Sequence, residues 1–370
     1  MPKVIFRKSF LLLPFLPLLW IYRLVISIRN FCYDHAIFPT TKLPRISFNG
    51  QLKEVGVISI GNLSAGGTGK TPLTIFLANL LRAQGWKVAI VARGYRRQKK
   101  GLVVVSDGQK ILAALAEVGD EPLLMARACP GVPIIVDEQK KIAATAAVEK
   151  FAPDIILVDD GFQHRQLHRD LDIVLVDAQM PPSQLWWFPA APMREPATSL
   201  RRADFVILNT GGDQFERPPV EKYTSAKIFS GALQSVGWRP LADDSEKLLP
   251  LDGVRAQPVM LISGIARPER FRATVERLKA QIVGEIKFRD HHPYEENDWQ
   301  TIVAARKAAG ARYILTTSKD AVKLAVLGES ARAPVLVLET AFVLEEAFEK
   351  IFLAAVAQIS AKKLLAVNET

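Results

Sequence analysis

Ile58-Ser59-Ile60 runs into Gly61-Asn62-Leu63-Ser64-Ala65-Gly66-Gly67-Thr68-Gly69-Lys70-Thr71-Pro72. A β-branched run, a glycine-rich loop ending in Gly-Lys-Thr and a helix-compatible segment after it leave few folds open. Glycines let the backbone wrap a phosphate chain, so that N–H groups point inward at a helix N-terminus. In that arrangement Ser64, Ala65, Gly66, Gly67, Thr68, Gly69, Lys70 and Thr71 form the nucleotide-binding loop. Lys70 reaches the β- and γ-phosphates and the Thr71 hydroxyl binds Mg²⁺. Pro72 suits the first helical turn, where its missing N–H costs no hydrogen bond.

The usual form of this loop begins with a glycine five residues before the last one, and Ser64 stands there. The Gly66-Gly67-Thr68-Gly69-Lys70-Thr71 form instead resembles the variant loop of the ParA and MinD type of ATPase. Those proteins carry a signature lysine where this chain has Ala65. A loop of this kind needs an acid at the end of a neighbouring strand to hold the metal. Ile155-Ile156-Leu157-Val158-Asp159-Asp160 supplies one: four apolar residues, then two carboxylates. A single strand-end Asp would read as a helix cap or turn residue, but a pair after a buried strand points to the metal. Together the two motifs imply Mg²⁺-dependent nucleoside triphosphate chemistry and do not name the acceptor.

From Val55 onward, short β-branched runs alternate with helical stretches. Val55–Ile60, Val88–Ala92, Val103–Val105, Ile134–Val136, Ile155–Val158, Ile173–Val176 and Phe205–Leu208 read as strands. Pro72–Gln84 and Ile142–Phe151 read as helices. Continuous apolar strands alternating with helices imply a mostly parallel sheet buried on both faces. Residues 211–258 are polar and rich in Pro and Gly, which puts a boundary near their start. A second βα series follows: Val259–Ser263, a helix over Pro268–Gln281, Ile314–Thr316, a helix over Asp320–Leu327, Val335–Leu338 and a last helix from about Leu344. The expected fold is α/β. A membrane-associated helix within residues 1–35 precedes a P-loop domain over 36–230 with a mostly parallel sheet, and a smaller α/β domain over 231–370 follows.

The formal net charge is +10, but it is unevenly spread. Residues 1–50 hold seven bases against one acid, a net of +6, and the other 320 residues carry +4. Nucleic-acid binders show basic stripes through the folded body, so no nucleic acid is expected. Cys32 and Cys129, in no metal-ligand spacing, exclude a disulfide scaffold or a Cys-ligated zinc site. The apolar run from Phe10 to Tyr22 is broken by Pro14 and Pro17 and is too short to span a bilayer, which takes roughly 20 apolar residues. After Pro17 the polar residues Arg23, Ser27, Asn30 and Asp34 fall on one helical face. A broad apolar face beside bases, with Trp20 and Tyr22, suits a helix lying in a membrane surface. The competing readings pack that apolar face on the domain, or extend the apolar window through Arg23 to Ile28 as a single span.

Further motifs occur in a fixed order: Arg93-Gly94-Tyr95-Arg96-Arg97, Gly119-Asp120-Glu121-Pro122, Asp159-Asp160-Gly161-Phe162-Gln163-His164-Arg165, Pro189-Ala190-Ala191-Pro192-Met193-Arg194-Glu195-Pro196, Asp290-His291 and Lys319-Asp320-Ala321-Val322-Lys323-Leu324. With them the chain closely resembles the tetraacyldisaccharide 4′-kinases, from the N-terminal apolar segment to at least Leu324. The Asp-Asp-Gly-Phe-Gln-His and Met-Arg-Glu-Pro runs are the specific ones. The resemblance implies transfer of the γ-phosphate of ATP to the 4′-hydroxyl of a tetraacylated glucosamine disaccharide 1-phosphate. The product is lipid IVA, made at the cytoplasmic face of the inner membrane. It also implies a cleft between the two domains where substrate and nucleotide meet. No obligate protein partner is expected.

The resemblance carries roles over residue by residue. Lys70 and Thr71 are phosphate and Mg²⁺ ligands; Asp159 and Asp160 are the acidic strand end, with Asp160 nearer the metal. Asp120 is the general base, paired with His291. Glu195 assists the metal and Arg194 the phosphates. By residue type alone, Asp120 could equally cap a helix beginning near Pro122, and His291 could lie in a surface loop. The five bases over 93–100 fit a solvated loop or an anion contact; Trp186-Trp187-Phe188 fits domain packing or acyl-chain contact. Two departures from the family pattern stand out, Ser318 for a glutamate and Ala191 for a glycine. A ParA- or MinD-like surface-positioning ATPase is the alternative.

Overall fold

Val88–Ala92 and Ile155–Asp159 are buried along their whole length, as unbroken apolar runs covered on both faces must be. They belong to a mixed, mostly parallel α/β architecture. The computed structural model describes residues 16–48, 51–64, 67–179, 193–211, 218–242, 248–327 and 334–368.

In chain order, the N-terminal helix α1 is Leu16–Asp34, with Pro17 in its first turn. Strands β1 (Ile46–Phe48) and β2 (Gln51–Lys53) form an antiparallel pair, and β3 is Gly56–Asn62. Helix α2 (Lys70–Ala83) follows the glycine-rich loop; then come β4 (Val88–Ala92), β5 (Val103–Asp107), the one-turn α3 (Leu115–Val118) and α4 (Asp120–Ala128). Next are β6 (Pro133–Val136), α5 (Lys140–Phe151), β7 (Ile155–Asp159), β8 (Leu171–Asp177), β9 (Phe205–Asn209) and β10 (Lys227–Pro240). The last third holds β11 (Pro258–Ser263), α6 (Pro268–Arg277), β12 (Gln281–Lys287), α7 (Glu296–Ala308), β13 (Tyr313–Thr317), α8 (Ser318–Leu324), β14 (Val335–Leu344) and α9 (Glu346–Asn368).

Two compact units divide the chain, one of Met1–Lys70, Lys140–Ala232 and Leu344–Thr370, the other of Thr71–Gln139 and Leu233–Val343. Spatial grouping follows packing and not chain order, so 71–139 joins 233–343 and not the residues that flank it.

In the first unit the parallel strands run in the order β10-β9-β8-β3-β7. The register sets Ile60 beside Asp159, so the strand leading into the glycine-rich loop and the strand ending in the acids finish side by side. Parallel α/β sheets bind ligands at this carboxyl edge. Phe162, Val174, Val176, Leu200, Val206 and Leu208 form the core under it. Phe348 and Phe352, four residues apart on α9, stack on each other, and Phe348 meets Phe205 and Phe229 edge-on.

α1 turns its polar face inward. Asn30 is buried and its Nδ2 donates to Glu195; Asp34 ion-pairs with Arg165 at 2.7 Å and with Arg201. Trp20, Leu24 and Phe31 are more than half exposed, so the reading that buries this apolar face on the domain fails. Among the described residues no helix is long and apolar enough to cross a membrane. Residues 1–15, Ala65, Gly66 and the Trp186-Trp187-Phe188 cluster lie outside the described residues.

In the second unit β4-β6-β5 are paired, with β5 antiparallel to β6, and β12-β11-β13-β14 form a parallel set. Trp238, fully buried, donates its Nε1–H to the Leu251 carbonyl and packs with Leu261, Val275 and Leu336. Helices α4 and α8 pack together. β10 was hidden in the Pro/Gly-rich stretch: fourteen residues long, it is irregularly buried and holds Gly231 and Gly237, so it shows no continuous apolar run. β12 was missed because none of its seven residues is fully buried.

Candidate active site

The glycine-rich loop is held at Thr68 by two asparagines that pattern reading did not single out. Asn62, the last residue of β3, donates its amide to the Thr68 hydroxyl at 2.8 Å, and Asn209, at the end of β9, donates to the Thr68 carbonyl at 2.8 Å. Gln163 of the Asp-Asp-Gly-Phe-Gln-His run donates to the Asn62 carbonyl at 2.9 Å. Gly69 has φ +95°, a conformation that only glycine takes readily, and a Cβ at Gly67 would meet no atom within 4 Å. Both features suit a loop whose backbone must curl around phosphate oxygens. Ser64 bridges Met193, and the Arg194 N–H donates to the Leu63 carbonyl at 2.6 Å. The Met-Arg-Glu run is thereby stitched to the loop.

Lys70 opens α2, with Thr71 next in its first turn. The Lys70 ammonium lies 3.4 Å from the Asp160 carboxylate, and Arg194 donates to both Asp160 oxygens at 2.8 Å. Lys140, the first residue of α5, is 2% exposed and donates to the Asp159 carbonyl at 2.6 Å and to the Asp160 carbonyl. Burial brings its ammonium down to about 8, against the opposing pull of Asp160 and Asp159. Burial would raise the Asp160 pKa, but Lys70, Lys140 and Arg194 outweigh it and hold the carboxyl well below its ordinary value. Three cations converge on Asp160, an electrostatic setting for a polyphosphate.

Asp159 is buried at the end of β7 beside Ile60. Among the described residues no group of three or more His, Cys, Asp and Glu side chains converges. Mg²⁺ carried by a nucleotide takes one or two carboxylates and fills its remaining sites with water and phosphate oxygens, and the paired carboxylates at the end of β7 fit that demand. Glu195 has other partners: fully buried, it ion-pairs with Arg202 and accepts from Asn30, with Arg29 4.0 Å away. Its charge is therefore paired with a buried guanidinium.

Asp120 is the first residue of α4, and Gly119 before it sits at φ +86°, where a Cβ would stand 2.7 Å from the Tyr95 carbonyl. Asp120 accepts the N–H of its neighbour Glu121 at 3.1 Å, but the helix begins at Asp120 itself, Gly119 holds the cap position and no side-chain cap hydrogen bond forms, so the capping reading fails. Asp120 meets His291 Nδ1 at 2.9 Å, as the paired reading expects. Burial works to raise its pKa; the His291 hydrogen bond and the Lys319 charge overcome that and keep it below the ordinary value. The Tyr95 ring lies 5.5 Å from the His291 ring. Asp120, His291 and Lys319 thus form one polar cluster, in which Lys319 is the member that sequence pattern alone does not point to.

A phosphate loop with an acid-tipped neighbouring strand belongs to many NTPases; the Asp120–His291 pair narrows the choice. The family model described as tetraacyldisaccharide-1-P 4′-kinase matches residues 11–357. The chain belongs to the tetraacyldisaccharide 4′-kinase family. The tetraacyldisaccharide 4′-kinase of Syntrophus aciditrophicus is 38% identical over 324 residues, covering 84% of this chain and 83% of that protein. The tetraacyldisaccharide 4′-kinase of Geobacter metallireducens is 37% identical over 306 residues, covering 82% and 86%. The crystal structure of LpxK from Aquifex aeolicus in complex with ATP aligns over 96% of this chain and 99% of its own, with a TM-score of 0.74 at 31% identity. As in other members of the tetraacyldisaccharide 4′-kinase family, the activity is that of an ATP-using phosphotransferase. A ParA- or MinD-like role is not favoured.

Proposed function

We propose that this chain transfers the γ-phosphate of ATP to the 4′-hydroxyl of a tetraacylated glucosamine disaccharide 1-phosphate, with Asp120 as the base. The observation that carries the assignment is the buried Asp120 carboxylate, hydrogen-bonded to His291 at 2.9 Å, in a chain that also carries the phosphate loop. Phosphoryl transfer demands positioning and charge neutralisation more than strong bases. Lys70 and Arg194 bind phosphate oxygens in this reading. Thr71, Asp159 and Asp160 would hold Mg²⁺, which would supply further neutralisation of phosphate charge. Asp120 takes the proton of the 4′-hydroxyl as its oxygen bonds to the γ-phosphorus and the bond to the ADP oxygen breaks. Its depressed pKa keeps it in the accepting, ionised form at neutral pH.

The membrane surface is the second half of the proposal. Trp20, Ile21, Leu24, Val25, Ile28 and Phe31 are all more than half exposed along α1. Each large apolar side chain left in water forgoes about 1.5–3 kcal/mol of burial, which a bilayer interface restores. We place the protein peripherally at the cytoplasmic face of the inner membrane, where an acylated substrate resides.

The test is transfer of labelled phosphate from ATP to tetraacyldisaccharide 1-phosphate in detergent micelles. Asp120→Asn is expected to lower kcat by at least about a hundredfold, with ATP binding retained. Normal turnover by that variant would overturn the base assignment.

A further inference from the structure

We propose that α8 is the positioning device of the Asp120–His291 pair: Lys319 selects the ring tautomer of His291, and Asp320 ties down its backbone. The proposal deepens the base assignment above and rests on it. Lys319-Asp320-Ala321-Val322-Lys323 is a sequence motif that nucleotide binding and proton transfer leave without a role.

The Lys319 Nζ lies 3.1 Å from His291 Nε2. An ammonium has donors only, so Nε2 must present its lone pair. The ring hydrogen then sits on Nδ1, which donates to Asp120 Oδ2 at 2.9 Å and Oδ1 at 3.1 Å. The other neutral tautomer would set the Nδ1 lone pair against carboxylate lone pairs and an N–H against the ammonium. A doubly protonated ring would likewise point an N–H at a cation. One protonation state satisfies every contact.

The charged and titratable groups around the ring come from each element packed on it. Asp120 and Glu121 come from α4, Lys319 and Lys323 from α8, and Asp290 from the loop of His291 itself, 3.7 Å from Nε2. Tyr95 and Arg96 face it from the 93–100 stretch, the latter donating to the Asp290 carbonyl at 3.0 Å. Lys319 is 3.6 Å from Glu121, 3.6 Å from Asp290 and 3.9 Å from Asp120. Three carboxylates thus hold the ammonium at Nε2.

The backbone tie is separate. His291 has φ +60°, a left-handed conformation that costs a non-glycine residue energy and needs support. Its N–H donates to the Gly264 carbonyl at 3.1 Å. The Gly264 N–H in turn donates at 3.0 Å to Asp320 Oδ2, which also accepts the Thr317 hydroxyl at 2.9 Å. Asp320 is fully buried and ion-pairs with Lys323 at 2.9 Å. A Cβ at Gly264 would stand 3.2 Å from Asp320 Oδ1, so the approach is a tight one.

With Nε2 capped by Lys319, His291 cannot take the substrate proton onward. It orients Asp120 as a donor and leaves the carboxylate as the one proton acceptor. Lys319 is therefore a positioning residue.

The experiment uses the full chain with ¹⁵N-labelled histidine, read by NMR, alongside kcat and KM for Lys319→Met and Lys319→Arg. In the parent protein the His291 ring hydrogen is expected on Nδ1. In Lys319→Met the Nε2 lone pair loses its donor, and the ring is expected to lose that single-tautomer pattern. kcat should fall about tenfold or more, and KM for ATP should stay within about twofold. Lys319→Arg, which still donates, should restore most of the loss. Hydrogen on Nε2 in the parent, or an unchanged ring pattern in Lys319→Met, would overturn the proposal. The parent spectrum decides even if the variant does not fold. Should Asp120→Asn stay active while the ring behaves as described, the base assignment fails and the tautomer assignment stands.

Discussion

The Lys140 ammonium donates to the main-chain carbonyl of Asp159 at 2.6 Å and also to that of Asp160. A helix start thereby clamps the acidic end of the strand that its own chain goes on to form. In a helix–strand unit the helix N-terminus lies at the carboxyl end of the strand that follows. The first residue of α5 can therefore reach the last of β7. The clamp supports the left-handed backbone of Asp160, at φ +52°, whose side chain meets Lys70 and Arg194.

Lys140→Met should leave two carbonyls short of a donor and free the Asp160 backbone. The expected cost is about 1–3 kcal/mol of stability, seen as a lower Tm, with a rise in KM for ATP. An unchanged KM alongside full stability would show that the clamp does not position the acids.

Glu195 and Arg202 form a buried pair, and Arg202 also lies 4.3 Å over the Phe162 ring. Burial brings the Arg202 pKa down to about 10 in spite of Glu195. Glu195→Gln should cost about 3–5 kcal/mol by leaving a buried cation unpaired, and the Mg²⁺ dependence of kcat in the remaining folded enzyme should not change. Denaturant titration and a Mg²⁺ titration separate this from a metal-ligand role, which would shift the Mg²⁺ dependence and spare stability.

Replacing Trp20, Leu24 and Ile28 together by serine removes the exposed apolar face of α1 and leaves the Asn30 and Asp34 contacts in place. Sedimentation with anionic vesicles should fall sharply while Tm changes by no more than about 2 °C. Unchanged sedimentation would remove α1 as the membrane contact.

Asp120 and Asp160 both have folded pKa values below the ordinary 3.8. A depressed carboxylate contributes stability that is fully present above its unfolded pKa and is lost as pH falls through the folded one. Acid unfolding between about pH 4 and 2 should therefore be less steep in Asp160→Asn than in the parent protein. Equal slopes in the two proteins would show that the charges around Asp160 do not stabilise its ionised form.

The phosphate loop, the acid pair at 159–160 and the two-faced α1 were legible because each is contiguous or follows one helical period. Asp120 and His291 were legible only through resemblance; by residue type each had an ordinary structural reading. Asn62 and Asn209 carry no pattern, since an asparagine at a strand end is common and its partner at Thr68 is 141 positions away from Asn209. β10 and β12 escaped because partial burial leaves no apolar run or clean alternation to read.

By itself the sequence determined the fully buried strands, the glycine-rich loop and the helix after it, and that phosphate chemistry is present, because turn geometry and continuous apolar runs are written in a few neighbouring residues. The tertiary structure alone decided that Lys140 clamps the acids, that Glu195 serves Arg202 and that Lys319 faces His291. Hydrogen bonds and buried charges act over a few ångströms in space, and only chain packing sets which distant residues come within that range.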